Sequence, residues 1–120
     1  LRAKHEPDST ESLPGGIVGG AMVKKSVVWK HEDAKGKAVT DKFSIFVMPQ
    51  SFGMIEKLFS STEPEDSRNA KYIATCVTLG ENGEEPISYE DAFRLAPGLG
   101  WAILAAVHAV NNTGADRAKN

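Results

Sequence analysis

The side chains equipped for chemistry are few and far apart. His5, His31 and His108 are the histidines, and Cys76 is the lone cysteine. A zinc site needs three or four ligands at short, regular spacings, and these four residues offer none. Cys76 lies near the apolar stripe of a helical pattern, where a thiol behaves as a small buried hydrophobe rather than a nucleophile. One cysteine forms no internal disulfide, so nothing points to an oxidising compartment. Glu84-Glu85 and Glu90-Asp91 are adjacent carboxylates. General acid–base catalysis needs two carboxyls in environments that separate their pKa values, whereas neighbours on a turn or helix start share one solvated face. The GGIVGG run at residues 15–20 lacks the preceding strand, following helix and Lys of a phosphate-cradling loop. No catalytic residue, metal site or cofactor is expected, and the chain reads as a non-enzyme.

What remains is apolar surface and the elements that place it. Residues 88–111, SYEDAFRLAPGLGWAILAAVHAVN, organise the rest. Ser88, with Asp91 three residues on, has the spacing of a helix N-cap. Ala92, Phe93 and Leu95 supply a short apolar face. Pro97 ends that helix and opens the next, because its missing N–H is one the first turn leaves unbonded. The second helix is expected to run to about Val110, with Asn111, Asn112 and Gly114 available to end it. At about 100° per residue, Leu99, Ile103, Val107 and Val110 form one stripe. Trp101, Leu104 and His108 fall outside it, partly on the opposite face. A helix with two apolar faces is either deeply buried or covers its second face with another molecule, and the sequence leaves both open.

Residues 1–22 combine Pro7, Pro14, glycines and polar residues with almost nothing to bury, so they read as disordered and dispensable for folding. The domain is expected over residues 23–112, with a flexible tail at 113–120. Alternation from Lys24 to His31 sets Val27, Trp29 and His31 on one face. A second alternating run, Val39–Met48, sets Phe43, Ile45 and Val47 on one face and Thr40, Lys42 and Ser44 on the other. Residues 32–38, with Gly36 and four charged residues, connect them as a hairpin. Phe46 and Met48 break the polar face, so that end is expected to be covered on both sides. A helix opened by Gln50 or Ser51 carries Phe52, Ile55, Leu58 and Phe59 on one side. Another, capped by Asp66 or Ser67, carries Ala70, Ile73, Ala74 and Val77 and is expected to end at Gly80, before a tight turn at Asn82-Gly83. The fold class is therefore α+β, a small antiparallel β-hairpin or sheet packed against about four helices. Phe46, Met48, Trp101 and Leu104 are the candidate protein-binding residues, each a large apolar side chain on a face its own element does not need for the core.

Composition narrows the partners. The 120 residues are 41% hydrophobic and 25% charged with a net charge of −2, as in ordinary soluble domains. That balance argues against nucleic acid, whose binding rests on neutralising phosphates. No apolar run approaches the roughly 20 residues of a membrane span, and no signal-peptide pattern opens the chain; a soluble, cytosolic protein is expected. Residues 21–50 carry six lysines against three acids, and residues 51–96 nine acids against four bases. Such a split favours self-association of identical copies or is simply solvated surface.

The stretch Arg68–Asn111 resembles the tail assembly chaperones of long-tailed bacteriophages. It carries AKYIATCVTLG, the acidic turn GENGEEPIS, the short helix SYEDAFRL and a closing LGWAILAAVHAVN, in that order. The resemblance implies a protein that coats the tape measure protein in many copies and keeps it soluble in the host cytoplasm during tail assembly. It further implies absence from the mature virion, and in many members a frameshifted longer form that recruits the tail-tube protein. A small head–tail connector or other virion protein is the alternative. Ala118-Lys119-Asn120 is compatible with a slippery run of adenines. If slippage occurs there, the gene shows such codons followed by an open overlapping frame, and mass spectrometry of infected cells finds a minor longer product. Non-slippery codons would remove the idea for this position.

Overall fold

Alternating β-branched and aromatic residues make the first two elements a long antiparallel ribbon. Strand β1 spans Val23–Glu32 and β2 spans Ala38–Val47, in the register Val23↔Val47 through Glu32↔Ala38. The turn between them is held by Asp33, whose carboxylate accepts from the backbone N–H groups of Lys35 (2.8 Å) and Lys37 (3.0 Å). These bonds favour the charged carboxylate and hold its pKa below the ordinary value. Gly36 supplies the positive φ, +80°, that the turn requires. The structure, a computed structural model, describes residues 16–61 and 63–113. The disorder expected of residues 1–15 and the tail from residue 114, with His5 and Gly114, lie outside the described residues. Residues 16–22 run exposed, without helix or strand, into β1.

Ser51 and Ser67 each open a helix by accepting from the backbone N–H three residues on. Helix α1 spans Phe52–Ser60 and helix α2 spans Arg68–Cys76. The expectation that α2 continues to Gly80 is wrong. The helix stops at Cys76, and Val77–Leu79 is a strand, β3, which pairs with β2 through Phe46↔Thr78 and Val47↔Val77. Val77 and Thr78 are β-branched and lose side-chain freedom in a helix. Beside the open edge of β2 they gain a ladder instead, begun by Met48 N donating to Cys76 O at 2.8 Å. The turn at Gly80–Gly83, both glycines at positive φ, folds the chain back into β4, Glu85–Pro86. The sheet is thus four-stranded and antiparallel in the order β1-β2-β3-β4, larger than a hairpin but within the expected α+β class.

Helix α3, Tyr89–Phe93, is capped by Ser88, whose Oγ accepts from Asp91 N at 3.1 Å. Helix α4, Pro97–Asn111, begins at its proline and ends at Asn112, which adopts the left-handed conformation. The core lies between one sheet face and the helices. Val27, Ile45, Val47 and Val77 from the sheet meet Tyr72, Ile73 and Cys76 of α2 and Ile103, Leu104 and Val107 of α4. Each aliphatic side chain buried this way contributes about 1.5–3 kcal/mol. Helix α1 contributes no fully buried residue. It docks through its second half, where Phe59 meets Tyr72 edge to face at 5.5 Å and the Arg68 guanidinium lies 5.4 Å from the Phe59 ring. Phe52, expected on the packed side, is 82% exposed because the first turn overhangs the contact.

The far face of the sheet is covered only at one end. There Phe46 is half-buried, with the Lys24 ammonium 5.9 Å from its ring. A Cβ built on Gly83 would stand 2.9 Å from the Phe46 ring and 3.2 Å from the Met22 methyl. Gly83→Ala therefore meets both a positive φ, +72°, and a filled space. It should cost about 1–3 kcal/mol, read as a lower midpoint in denaturant unfolding; an unchanged midpoint would mean that the turn and Phe46 are not in contact.

Candidate binding groove

Three short helical segments meet without sealing their junction. The backbone N–H of Ser67, at the start of α2, donates to the Tyr89 hydroxyl of α3 at 2.9 Å. The Tyr89 and Phe93 rings lie 5.9 Å apart, so Tyr89 backs Phe93 as well as joining α3 to α2. Across from Phe93, the first turns of α4 present Trp101. Between them lies a groove of about 230 Å³ whose floor is Ala70, Ile73, Ala92 and Leu104. Phe93 is 58% and Trp101 64% exposed. Among the described residues no charged side chain lines the groove, and Ser67 and Asn69 supply its polar rim. Such a trough is suited to apolar side chains from a partner.

The four residues expected to contact a protein partner fare differently, and the structure does not gather them into one patch. Trp101 stands exposed on the groove. Leu104 is 4% exposed and belongs to the core, which corrects the expectation that it lies on a face the core does not use. The buried arc of α4 is wider than one stripe, because α4 packs on α2 as well as on the sheet, and Leu104 faces that second neighbour. Only its outer edge reaches the groove floor. Phe46 and Met48 are half-buried on β2 and just beyond it, away from the groove lining. Phe93 is the groove residue absent from those four; the sequence pattern set it on one short apolar face with Ala92 and Leu95. The signal was present: in a five-residue helix, Ala92 and Phe93 differ by about 100° and cannot both point inward.

Cys76, His31 and His108 each sit in packed or hydrogen-bonded positions. Cys76 is 1% exposed, and burial pushes its thiol up to about 12, so it stays protonated and inert. His31 stacks on Trp29 and its Nε2 lies 2.7 Å from Asp41 Oδ2. His108 and Tyr72 share Thr113, whose hydroxyl lies 2.7 Å from His108 Nδ1 and 2.8 Å from the Tyr72 hydroxyl. Among the described residues, no three His, Cys, Asp or Glu side chains are grouped to hold a metal, and no helix is long and apolar enough to cross a membrane.

A family model described as phage tail assembly chaperone, TAC, matches residues 12–111 of the chain. Comparison with curated proteins and with solved structures gives no significant match.

Two outcomes follow from burial. Leu104→Ala should lower stability by about 2–5 kcal/mol, whereas Trp101→Ala should change it by less than about 1 kcal/mol, both read from denaturant midpoints; equal losses would place Trp101 in the core. Burial lowers the His108 pKa from 6.5, so the unfolded chain takes up the proton first. The stability that neutral His108 preserves is present above the ordinary histidine range and declines as pH falls through it. Melting curves between pH 7.5 and 5, buffer values of about that span, should show this loss, and His108→Gln should reduce it; an identical slope in the variant would assign the loss elsewhere.

Proposed function

Since the chain belongs to the phage tail assembly chaperone family, we propose that it binds the tape measure protein and holds it soluble during tail assembly. The observation that carries this reading is the uncharged groove between α2, α3 and α4, walled by Phe93 and Trp101. Helical partners dock in such troughs through apolar residues one turn apart, which enter between the walls. A long helix that would otherwise aggregate repeats such a stripe along its length. Many copies of a small domain then cover it, each masking one or two turns. Phe46 and Met48 lie outside the groove, half-buried at and just beyond the end of β2, and on this reading they contact neighbouring copies.

On this reading the protein acts in the host cytoplasm, performs no catalysis and is absent from the finished particle. A frameshifted longer form brings the tail-tube protein to the coated tape measure. Binding of the purified full chain to a helical tape measure segment, followed by calorimetric titration, tests it. Trp101→Ala should weaken binding by about 2 kcal/mol, roughly thirtyfold, as for a central aromatic anchor, with the melting temperature retained. Unchanged affinity would overturn the groove as the site. Mass spectrometry of purified particles should not find the chain; its stoichiometric presence there would favour a head–tail connector.

A further inference from the structure

We propose that β1 is a self-pairing edge, docking antiparallel against β1 of a second copy about a two-fold axis at Val28. In an antiparallel ladder, residues alternate between pairs that exchange hydrogen bonds and pairs that do not. Asp33 N donates to Lys37 O at 2.9 Å, one step beyond the last β1–β2 pair. The odd-numbered residues of β1 therefore bond to β2. The other side of β2 agrees: Met48 N donates to Cys76 O, which assigns the even-numbered residues of β2 to β3. Lys24, Ser26, Val28, Lys30 and Glu32 thus aim their backbone N–H and C=O groups away from the sheet. All five residues are exposed, Val28 at 44%. Apart from a 3.4 Å contact of His31 Nδ1 with Glu32 O, no hydrogen bond among the described residues reaches these outward groups.

A ten-residue strand whose edge no described residue pairs with is a template for another strand. The opposite edge of this sheet does not provide it. Strand β4 is two residues long, and Pro86 has no N–H to donate. Head-to-tail growth of the sheet is therefore blocked, and the matching partner is a second β1. Outward groups must meet outward groups, so the axis passes through a residue position rather than between two. Centring on Val27 sets Lys24 against Lys30 at both ends. Centring on Trp29 shortens the ladder, because Asp33 already belongs to the turn. Centring on Val28 pairs residues 24 to 32 throughout, with Lys24 opposite Glu32 twice, Ser26 opposite Lys30, and Val28 opposite its own copy. Val27 then meets Trp29 across the interface. On this pairing Lys24, which would guard a lone edge, gains an acidic partner at each end of the ladder, while Lys30 faces Ser26.

A two-fold pairing uses the same edge on both copies and closes at a dimer. Such dimers would be the units in which the proposed function's self-association proceeds. The test involves no tape measure segment, so failure of the edge and failure of the groove are told apart. Sedimentation of the full chain over a concentration series should show a monomer–dimer equilibrium. Val28→Pro removes an outward N–H that β2 does not use, so it should abolish the dimer and keep the fold by circular dichroism. Lys24→Glu should weaken the dimer about tenfold, through two like-charge contacts, and Glu32→Lys added to it should restore it. Val28→Cys should form a disulfide-linked dimer on mild oxidation, whereas Ser26→Cys, opposite Lys30, should not. A strict monomer, or a dimer or larger oligomer indifferent to Val28→Pro and to the charge exchange, would each overturn the proposal.

Discussion

The contact of α4 with the β1–β2 ribbon is the constraint on which the other features depend. A two-stranded ribbon is marginal in water by itself, and a mostly apolar helix with no charged residue is not stable as a lone element. Together they cover Val27, Ile45 and Val47 with Ile103 and Val107. The pairing is far apart in sequence, and its ends are tied by further contacts. At one end the Asn111 side chain accepts from Gln50 N at 2.7 Å. At the other, Trp29 lies beside Gly98 at the start of α4. With both ends held, the helix has one rotational setting on the sheet, and that setting decides which of its residues remain outside.

The same setting produces the groove. Helix α4 turns Leu104 toward α2 and leaves Trp101, about 60° further round, largely exposed. Helix α3 is too short to close over that side, and the Ser67–Tyr89 bond fixes where it starts. The exposed aromatics are therefore a consequence of element length and of one hydrogen bond, not of loose packing: no buried side-chain nitrogen or oxygen among the described residues lacks a partner. Strand addition works by a similar logic on the sheet. Val77–Leu79 leaves the helix because β2 offers an edge, and the added strand brings the Gly80–Gly83 turn over Phe46. One edge of the sheet is thereby shortened and closed by Pro86, while no described strand covers the long edge of β1.

Much of the architecture was legible locally. Period-two alternation located β1 and β2, cap signals at Gln50-Ser51, Asp66-Ser67 and Ser88 located the starts of α1, α2 and α3, and Pro97 and Asn112 bracket α4, because each signal acts within a few residues of itself. Cys76 as a buried, inert thiol was legible for the same reason. Membership of the chaperone family was legible in the order of the motifs from Arg68 to Asn111, a pattern no single element carries. The class of function thus resides in linear arrangement and needs no knowledge of contacts.

Only the tertiary structure decided the rest. Val77 satisfies a helical spacing and a strand equally well, and the presence of the β2 edge chooses between them. Leu104 and Trp101 look alike on the helix, both outside the main stripe, and only the position of α2 buries one and exposes the other. Phe93 and Phe52 look like core residues until the lengths of their neighbours leave them uncovered. Local signals state what an element is, since capping, periodicity and turn chemistry are short-range forces. Which face of that element meets water depends on what packs beside it, and that is set by contacts between residues distant in the chain.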